Sequence, residues 1–173
     1  MMRAAFKQGK RTMAITVGSR LPEAKFTTMT PSGAAAKTTS EIFGGKKIVL
    51  FAVPGAFTPT CHRNHLPGFL ENAESFQTKG VDQIVCTAVN DIFVLTAWAN
   101  ATGAQDKIQF LSDGNGDFAK ALGLDMDGSP MNMGVRSRRY AMLIEDGVVK
   151  VLNVEDAPGK AEKSGASALL EAI

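Results

Sequence analysis

Cysteine is scarce in this chain. Two among 173 residues are too few for a disulfide scaffold. No Cys-x-x-Cys pair is present, which disfavours a thioredoxin-type dithiol centre. No apolar run reaches the roughly eighteen residues that a transmembrane helix needs. Neither a Gly-x-Gly-x-x-Gly fingerprint nor a Walker sequence occurs, so nothing points to a nucleotide cofactor. The formal net charge of +2 is too small to imply nucleic acid or a membrane surface as partner. Repeats, low-complexity tracts and long linkers are missing as well. With 45% hydrophobic and 21% charged residues, the chain has the make-up of one soluble domain with a real core. Sparse cysteine points to a reducing compartment, and the cytoplasm is the expected location.

Residues 1–12 (MMRAAFKQGKRT) carry Arg3, Lys7, Lys10 and Arg11 and no acid. They lack the apolar core of a secretory signal. The segment reads as a disordered or non-native extension, with a short organellar targeting segment or a start at Met13 as alternatives. Residues 13–173 are expected to form a single domain.

Residues 13–40 are rich in Thr, Pro, Gly and Ser, which predicts turns and short strands. One helical turn is expected at Ser40–Phe43, stopped by Gly44 and Gly45. Lys47–Val53 (KIVLFAV) is a continuous apolar run of the length of a strand buried on both faces. From Cys61 to Lys79, apolar residues fall at helical spacing, with Pro67 expected to kink the helix or delay its start. Asp82–Val89 is a second buried strand, and Asn90 or Asp91 can cap a helix running to Thr102. A third strand is predicted at Ile108–Leu111 and a short helix at Asp117–Leu122. Residues 125–136 read as loop. Arg139–Ile144 and Val148–Val154 flank an Asp146-Gly147 turn and predict a hairpin. A helix over Ser164–Ile173 closes the chain. The alternation is that of an α/β fold with a mixed sheet between helices.

Within this frame the run VPGAFTPTCHRNHLPGF, residues 53–69, is the chemically informative one. An apolar strand ends at Pro54, a turn of Gly, Pro and Thr follows, and Cys61 enters a helix. A thiol in the first turn of a helix meets unpaired N–H groups and the positive end of the dipole, which stabilise a thiolate. The thiolate is the nucleophilic form, so Cys61 reads as reactive.

The pattern Pro54-x-x-x-Thr58-x-x-Cys61 resembles the active-site signature of the peroxiredoxins, and the whole run is similar to their type II or peroxiredoxin-5-like branch. The likeness continues through Val89-Asn90-Asp91, Phe93-Val94 and Trp98, through Arg139-Tyr140-Ala141-Met142, and through Leu152-Asn153-Val154-Glu155. It covers residues 13–173. The resemblance implies a thioredoxin-like fold and thiol-dependent reduction of hydrogen peroxide and alkyl hydroperoxides. Cys61 would pass through a sulfenic acid and be recycled by glutaredoxin with glutathione or by thioredoxin. It also implies a homodimer, a role in antioxidant defence, and no metal or other cofactor. Thr58 carries a hydroxyl able to touch both sulfur and peroxide. Arg139 matches the family's active-site arginine, which would favour the thiolate and the developing oxyanion. Pro54 is expected to shield the sulfur.

Competing readings remain at this stage. Arg136 and Arg138 lie close to Arg139, and only the Arg-Tyr-Ala-Met context selects the last. His62 and His65 read as solvated or packing side chains rather than ligands, since a zinc site wants about four. Cys86, on the second strand, is either a packed core thiol or a cysteine that resolves oxidised Cys61 as a disulfide. A redox relay, whose output is a partner disulfide, uses the same chemistry as a peroxidase.

Overall fold

The computed structural model describes residues 13–173; the extension expected at residues 1–12 lies outside them. KIVLFA becomes strand β3 (Lys47–Ala52), buried along almost all of its length. It pairs with the equally apolar β4 (Gln83–Ala88), which pairs in turn with β5 (Ile108–Ser112), and the three run parallel. Continuous apolar strands of this kind need cover on both faces. Side chains alternate across the sheet: Val49, Phe51 and Val53 enter one core layer, and Ile48, Leu50 and Ala52 the other.

The first layer is covered by α2 (Leu66–Glu71), α3 (Ala73–Thr78), α4 (Ile92–Thr102) and α6 (Ala166–Glu171). The second is covered by α1 (Thr39–Phe43) and α5 (Asp117–Leu122). Antiparallel strands complete the sheet. An N-terminal hairpin, β1 (Lys25–Thr30) and β2 (Gly33–Thr38), joins β5 through a single register pair, Thr27 with Ser112. At the other side β8 (Tyr140–Glu145) pairs with β3, and β9 (Val148–Val154) with β8. The strand order is β2-β1-β5-β4-β3-β8-β9, which puts β4 at the centre. Among the described residues no helix is long and apolar enough to cross a membrane.

Local chemistry accounts for the boundaries. Asp91 caps α4 by accepting from the Val94 N–H. The β8–β9 turn holds Asp146 and Gly147 at φ 46° and 75°, the left-handed pair that a tight hairpin needs. Two expectations are corrected. Residues 125–136 are not all loop: β6 (Asp125–Asp127) and β7 (Val135–Ser137) pair as a separate two-stranded sheet around a 3-10 turn at Ser129–Met131. Three-residue strands are too short to show an alternation of hydrophobicity. The helix expected from Cys61 to Lys79 is also divided. A π-helical turn occupies Cys61–His65, and α2 and α3 follow it, separated at Asn72. Pro67 has no N–H to give and its ring would crowd the carbonyl four residues back, so the chain widens just before it. The Leu66 N–H accordingly reaches back five residues to the Cys61 carbonyl.

Tyr140 is fully buried where β8 begins, and burial raises its phenol far above the ordinary range, with the Asp113 charge adding to the effect. Among the described residues its hydroxyl is the one buried side-chain oxygen or nitrogen without a hydrogen-bonding protein group. A lone desolvated hydroxyl costs about 1–3 kcal/mol. Tyr140→Phe is therefore expected to leave the urea midpoint unchanged or raise it. A loss of more than about 1 kcal/mol would show that the hydroxyl is bonded in solution.

Candidate active site

The site forms where β3 runs out. Beyond Ala52 the Val53 N–H still bonds to the Thr87 carbonyl, and the chain then turns at Pro54 and Gly55. Gly55 is closely enclosed: a Cβ there would lie 3.1 Å from both Arg136 Nη1 and Thr58 Cγ2 and would push on those side chains. The Ala56 N–H is fixed by Asn90 Oδ1 at 2.9 Å, and Phe57 is forced to φ 61°. The helix opens at Pro59, so Cys61 sits in its first turn, as the sequence predicts. Its side chain is wholly buried.

Arg139 precedes β8 and is 2% exposed. Its Nη2 donates to Cys61 Sγ at 3.1 Å and to the Pro158 carbonyl at 2.9 Å. Its Nε donates to the same carbonyl at 3.2 Å, and its Nη1 meets His65 Nδ1 at 3.0 Å. The tautomer of His65 follows from its two partners. Nε2 lies 2.9 Å from the Ser164 carbonyl, which can only accept. Nε2 therefore carries the proton, and Nδ1 offers a lone pair to Arg139. Burial, reinforced by the adjacent guanidinium and opposed by the Ser164 bond, holds His65 down to about 3. The imidazole is neutral at physiological pH.

Of the three neighbouring arginines, only Arg139 reaches the sulfur. Arg136 donates to the Pro54 carbonyl at 3.3 Å and braces the wall of the turn, while Arg138 donates to the Glu155 carbonyl at 3.0 Å. Thr58 departs from expectation in one respect: its hydroxyl donates to the Gly55 carbonyl at 2.7 Å rather than to the sulfur. His62 lies beside the site, its Nδ1 accepting from Trp98 Nε1 at 3.0 Å and its ring stacked on Phe57. Cys86 is on β4 between Phe51 and Phe110, fully buried, in the same core layer as Cys61. Burial pushes its thiol well up, and nearby Cys61 adds to this while Arg139 opposes it. Both cysteines are free thiols.

Sequence reasoning missed three members of this cluster. His65 is a packing side chain, as expected, buried against Phe51 and Phe69, but its contact with the guanidinium is unforeseen. Its i, i+4 spacing from Cys61 was a usable signal, since such residues share a helix face. Ser164 and Glu155 also belong, the Glu155 carboxylate accepting from the Ser164 N–H at 2.7 Å and from its hydroxyl at 3.0 Å. No local pattern announces that contact.

The redoxin family model matches residues 16–170. Arabidopsis thaliana Peroxiredoxin-2E, chloroplastic, is 48% identical over 166 residues, which cover 94% of this chain and 70% of the relative. Oryza sativa Peroxiredoxin-2E-2, chloroplastic, is 51% identical over 164 residues, covering 92% and 72%. Among solved structures, reduced Prx3 of Vibrio vulnificus in complex with hydrogen peroxide superposes with a TM-score of 0.87 at 49% identity, covering 91% of this chain and 98% of that one. The chain belongs to the redoxin family and, within it, to the peroxiredoxins. Its fold is thioredoxin-like and its activity is that of a thiol-dependent peroxidase, an oxidoreductase of antioxidant defence. The expected cytoplasmic location does not stand against these relatives, two of which are chloroplastic. Cysteine usage reports on redox conditions, and more than one compartment is reducing.

The neutral His65 makes stability depend on pH with a definite sign. Its folded value of about 3 lies below the unfolded value of about 6.5. Above that unfolded value both states are neutral and nothing is lost. As pH falls below it, only the unfolded chain takes the proton, so stability declines progressively towards the folded value, by up to about 1.4 kcal/mol per pH unit. Chemical denaturation at pH 7 and pH 4.5 should show a larger loss for the wild type than for His65→Asn. Equal losses would mean that the ring is charged or solvated in the folded protein.

Proposed function

We propose that Cys61 is the nucleophile of this peroxidase and that Arg139, Thr58 and Pro54 complete its catalytic group. The observation that carries the reading is the guanidinium of Arg139 at 3.1 Å from Cys61 Sγ, inside a site from which water is largely excluded. The sulfur attacks the terminal oxygen of a hydroperoxide. An S–O bond forms as the O–O bond breaks, the sulfur is oxidised by two electrons to a sulfenic acid, and the departing oxygen takes a proton to leave as water or an alcohol. A fixed guanidinium favours negative charge first on sulfur and then on that oxygen. The hydroxyl hydrogen of Thr58 is committed to Gly55, so its lone pairs are available to accept from the O–H of the peroxide. The Pro54 turn, braced by Arg136, walls the sulfur.

Recycling needs an external thiol. One thiol attacks the sulfenic sulfur, releasing water and leaving a mixed disulfide, and a second thiol displaces Cys61. Glutaredoxin with glutathione is the reductant we favour, with thioredoxin as the alternative. Burial of Cys86 in the central strand supports a core thiol rather than a resolving one, because reaching Cys61 within disulfide distance would mean breaking the ladder on both sides of β4. A homodimer is the assembly that family kinship favours.

Cys61→Ser should abolish peroxide consumption while leaving circular dichroism unchanged. Arg139→Lys keeps a charge but loses the fork, and the rate should fall on the order of a hundred-fold. Arg136→Lys and Arg138→Lys should each do much less. Wild-type turnover in Cys61→Ser, or a larger loss at Arg136 or Arg138, would overturn the assignment.

Intact mass after one equivalent of peroxide tests Cys86. A gain of one oxygen, or of a glutathione when glutathione is present, is expected on Cys61. A loss of about two daltons with no adduct would instead identify an intramolecular disulfide and make Cys86 the resolving residue.

A further inference from the structure

Residues 155–164 leave β9 as an exposed loop whose two ends are buried. Three of its backbone carbonyls point back at the site. Pro158 accepts from Arg139 Nε and Nη2, Ser164 accepts from His65 Nε2, and Gly159 accepts from Thr60 Oγ1 at 3.2 Å. Thr60, Cys61 and His65 belong to one helical segment, so the loop touches the sulfur's own turn as well as the guanidinium. The loop's central residues 156–160 are exposed, and there the grip comes from the Pro158 and Gly159 carbonyls.

A ten-residue exposed loop does not hold a carbonyl in place by itself. An exposed ion pair, Lys163 with Asp156 at 2.6 Å, bridges its two arms, and Glu155 closes its buried base. The carboxylate is buried at 3% exposure and binds both the N–H and the hydroxyl of Ser164, so it clasps the loop's end to its beginning. The backbone of Glu155 is fixed in turn: its N–H donates to the Arg139 carbonyl at 3.0 Å, and its carbonyl accepts from Arg138. We infer that Glu155 is a positioning residue for the peroxidase reaction, acting through Ser164 and the Pro158 carbonyl to set the plane of the Arg139 guanidinium against Cys61 Sγ. This rests on Cys61 and Arg139 being the reacting pair.

A guanidinium free to rotate still neutralises charge but no longer aims a donor at the reacting atoms, and misplacement of about 1 Å can cost on the order of a hundred-fold. Opening the clasp should therefore slow the oxidation of Cys61 itself, measured by stopped flow per titrated thiol at a temperature where the variant is folded. Glu155→Ala is expected to lower the second-order rate constant by ~10- to 100-fold. Glu155→Gln, whose amide oxygen can still accept from Ser164, should recover most of that loss. Ser164→Ala, which keeps the backbone N–H bond, should give a smaller loss and carries the test if Glu155→Ala does not fold.

The deciding measurement is a double-mutant cycle with Arg139→Lys. If Glu155 works through the guanidinium, Glu155→Ala or Ser164→Ala should slow Arg139→Lys little further. Additive losses, or full speed in both clasp variants, would overturn the inference while leaving the Cys61–Arg139 pair intact. An Arg139→Lys variant that oxidises at the wild-type rate would overturn the pair instead. A fall in melting temperature without a change in the rate per thiol would assign Glu155 to stability alone.

Discussion

A buried guanidinium is tolerable only when its N–H groups are met, and the arrangement around Cys61 follows from meeting those of Arg139. One N–H goes to the sulfur, two to the Pro158 carbonyl and one to a histidine that must stay neutral to accept it. Each partner imposes a condition on a different part of the chain. The sulfur requires the turn after β3 to deliver a helix start at Pro59. The carbonyl requires the loop after β9 to fold back over β8. The histidine requires a proton on its far nitrogen, which the Ser164 carbonyl secures. Removing the charge would relieve the desolvation, but the sulfur would lose the cation that donates to it.

The sheet supplies the precision this needs. Cys61 and Arg139 are far apart in sequence, yet β3 and β8 are adjacent, with Ala52 opposite Tyr140. The end of one strand and the start of the next thus emerge side by side at the same edge of a rigid ladder. Stacked rings continue the support underneath: Phe51 lies parallel to Phe69 at 4.2 Å, and both present their faces or edges to His65. The site therefore rests on strands and a packed aromatic cluster. Only the Pro158 side depends on a loop.

What the sequence made legible divides along the same line. The strands β3, β4 and β9 and the helix α5 follow from uninterrupted apolar runs, glycine stops and turn pairs, which are local signals. The Cys61 turn is equally local, and so are Pro54 and Thr58. Arg139 could be selected among three arginines only by its Arg-Tyr-Ala-Met context, because the strand pairing that delivers it to the sulfur joins distant segments. Glu155 stands in a matched run, but its bonds to Ser164, like the bond of the Pro158 carbonyl to Arg139, join separated segments through contacts that no residue pattern encodes. The π-helical turn was half legible. Pro67 signalled a disturbance, but whether a helix kinks, starts late or widens depends on its packing.

The two cysteines show how far placement outweighs residue type. Both are wholly buried in the same core layer, and composition cannot separate them. Cys61 is at a helix start, with a guanidinium in contact. Cys86 is in the middle of the central strand between two phenylalanines, where burial suppresses the thiolate. A nucleophile needs a partner that favours its charged form, and a core thiol is inert because it lacks one. Arg139 favours the charged form of Cys86 too, but burial outweighs it. Of the two sulfurs the Arg139 fork touches only that of Cys61, and the proposed assignment of Cys61 as nucleophile rests on that difference.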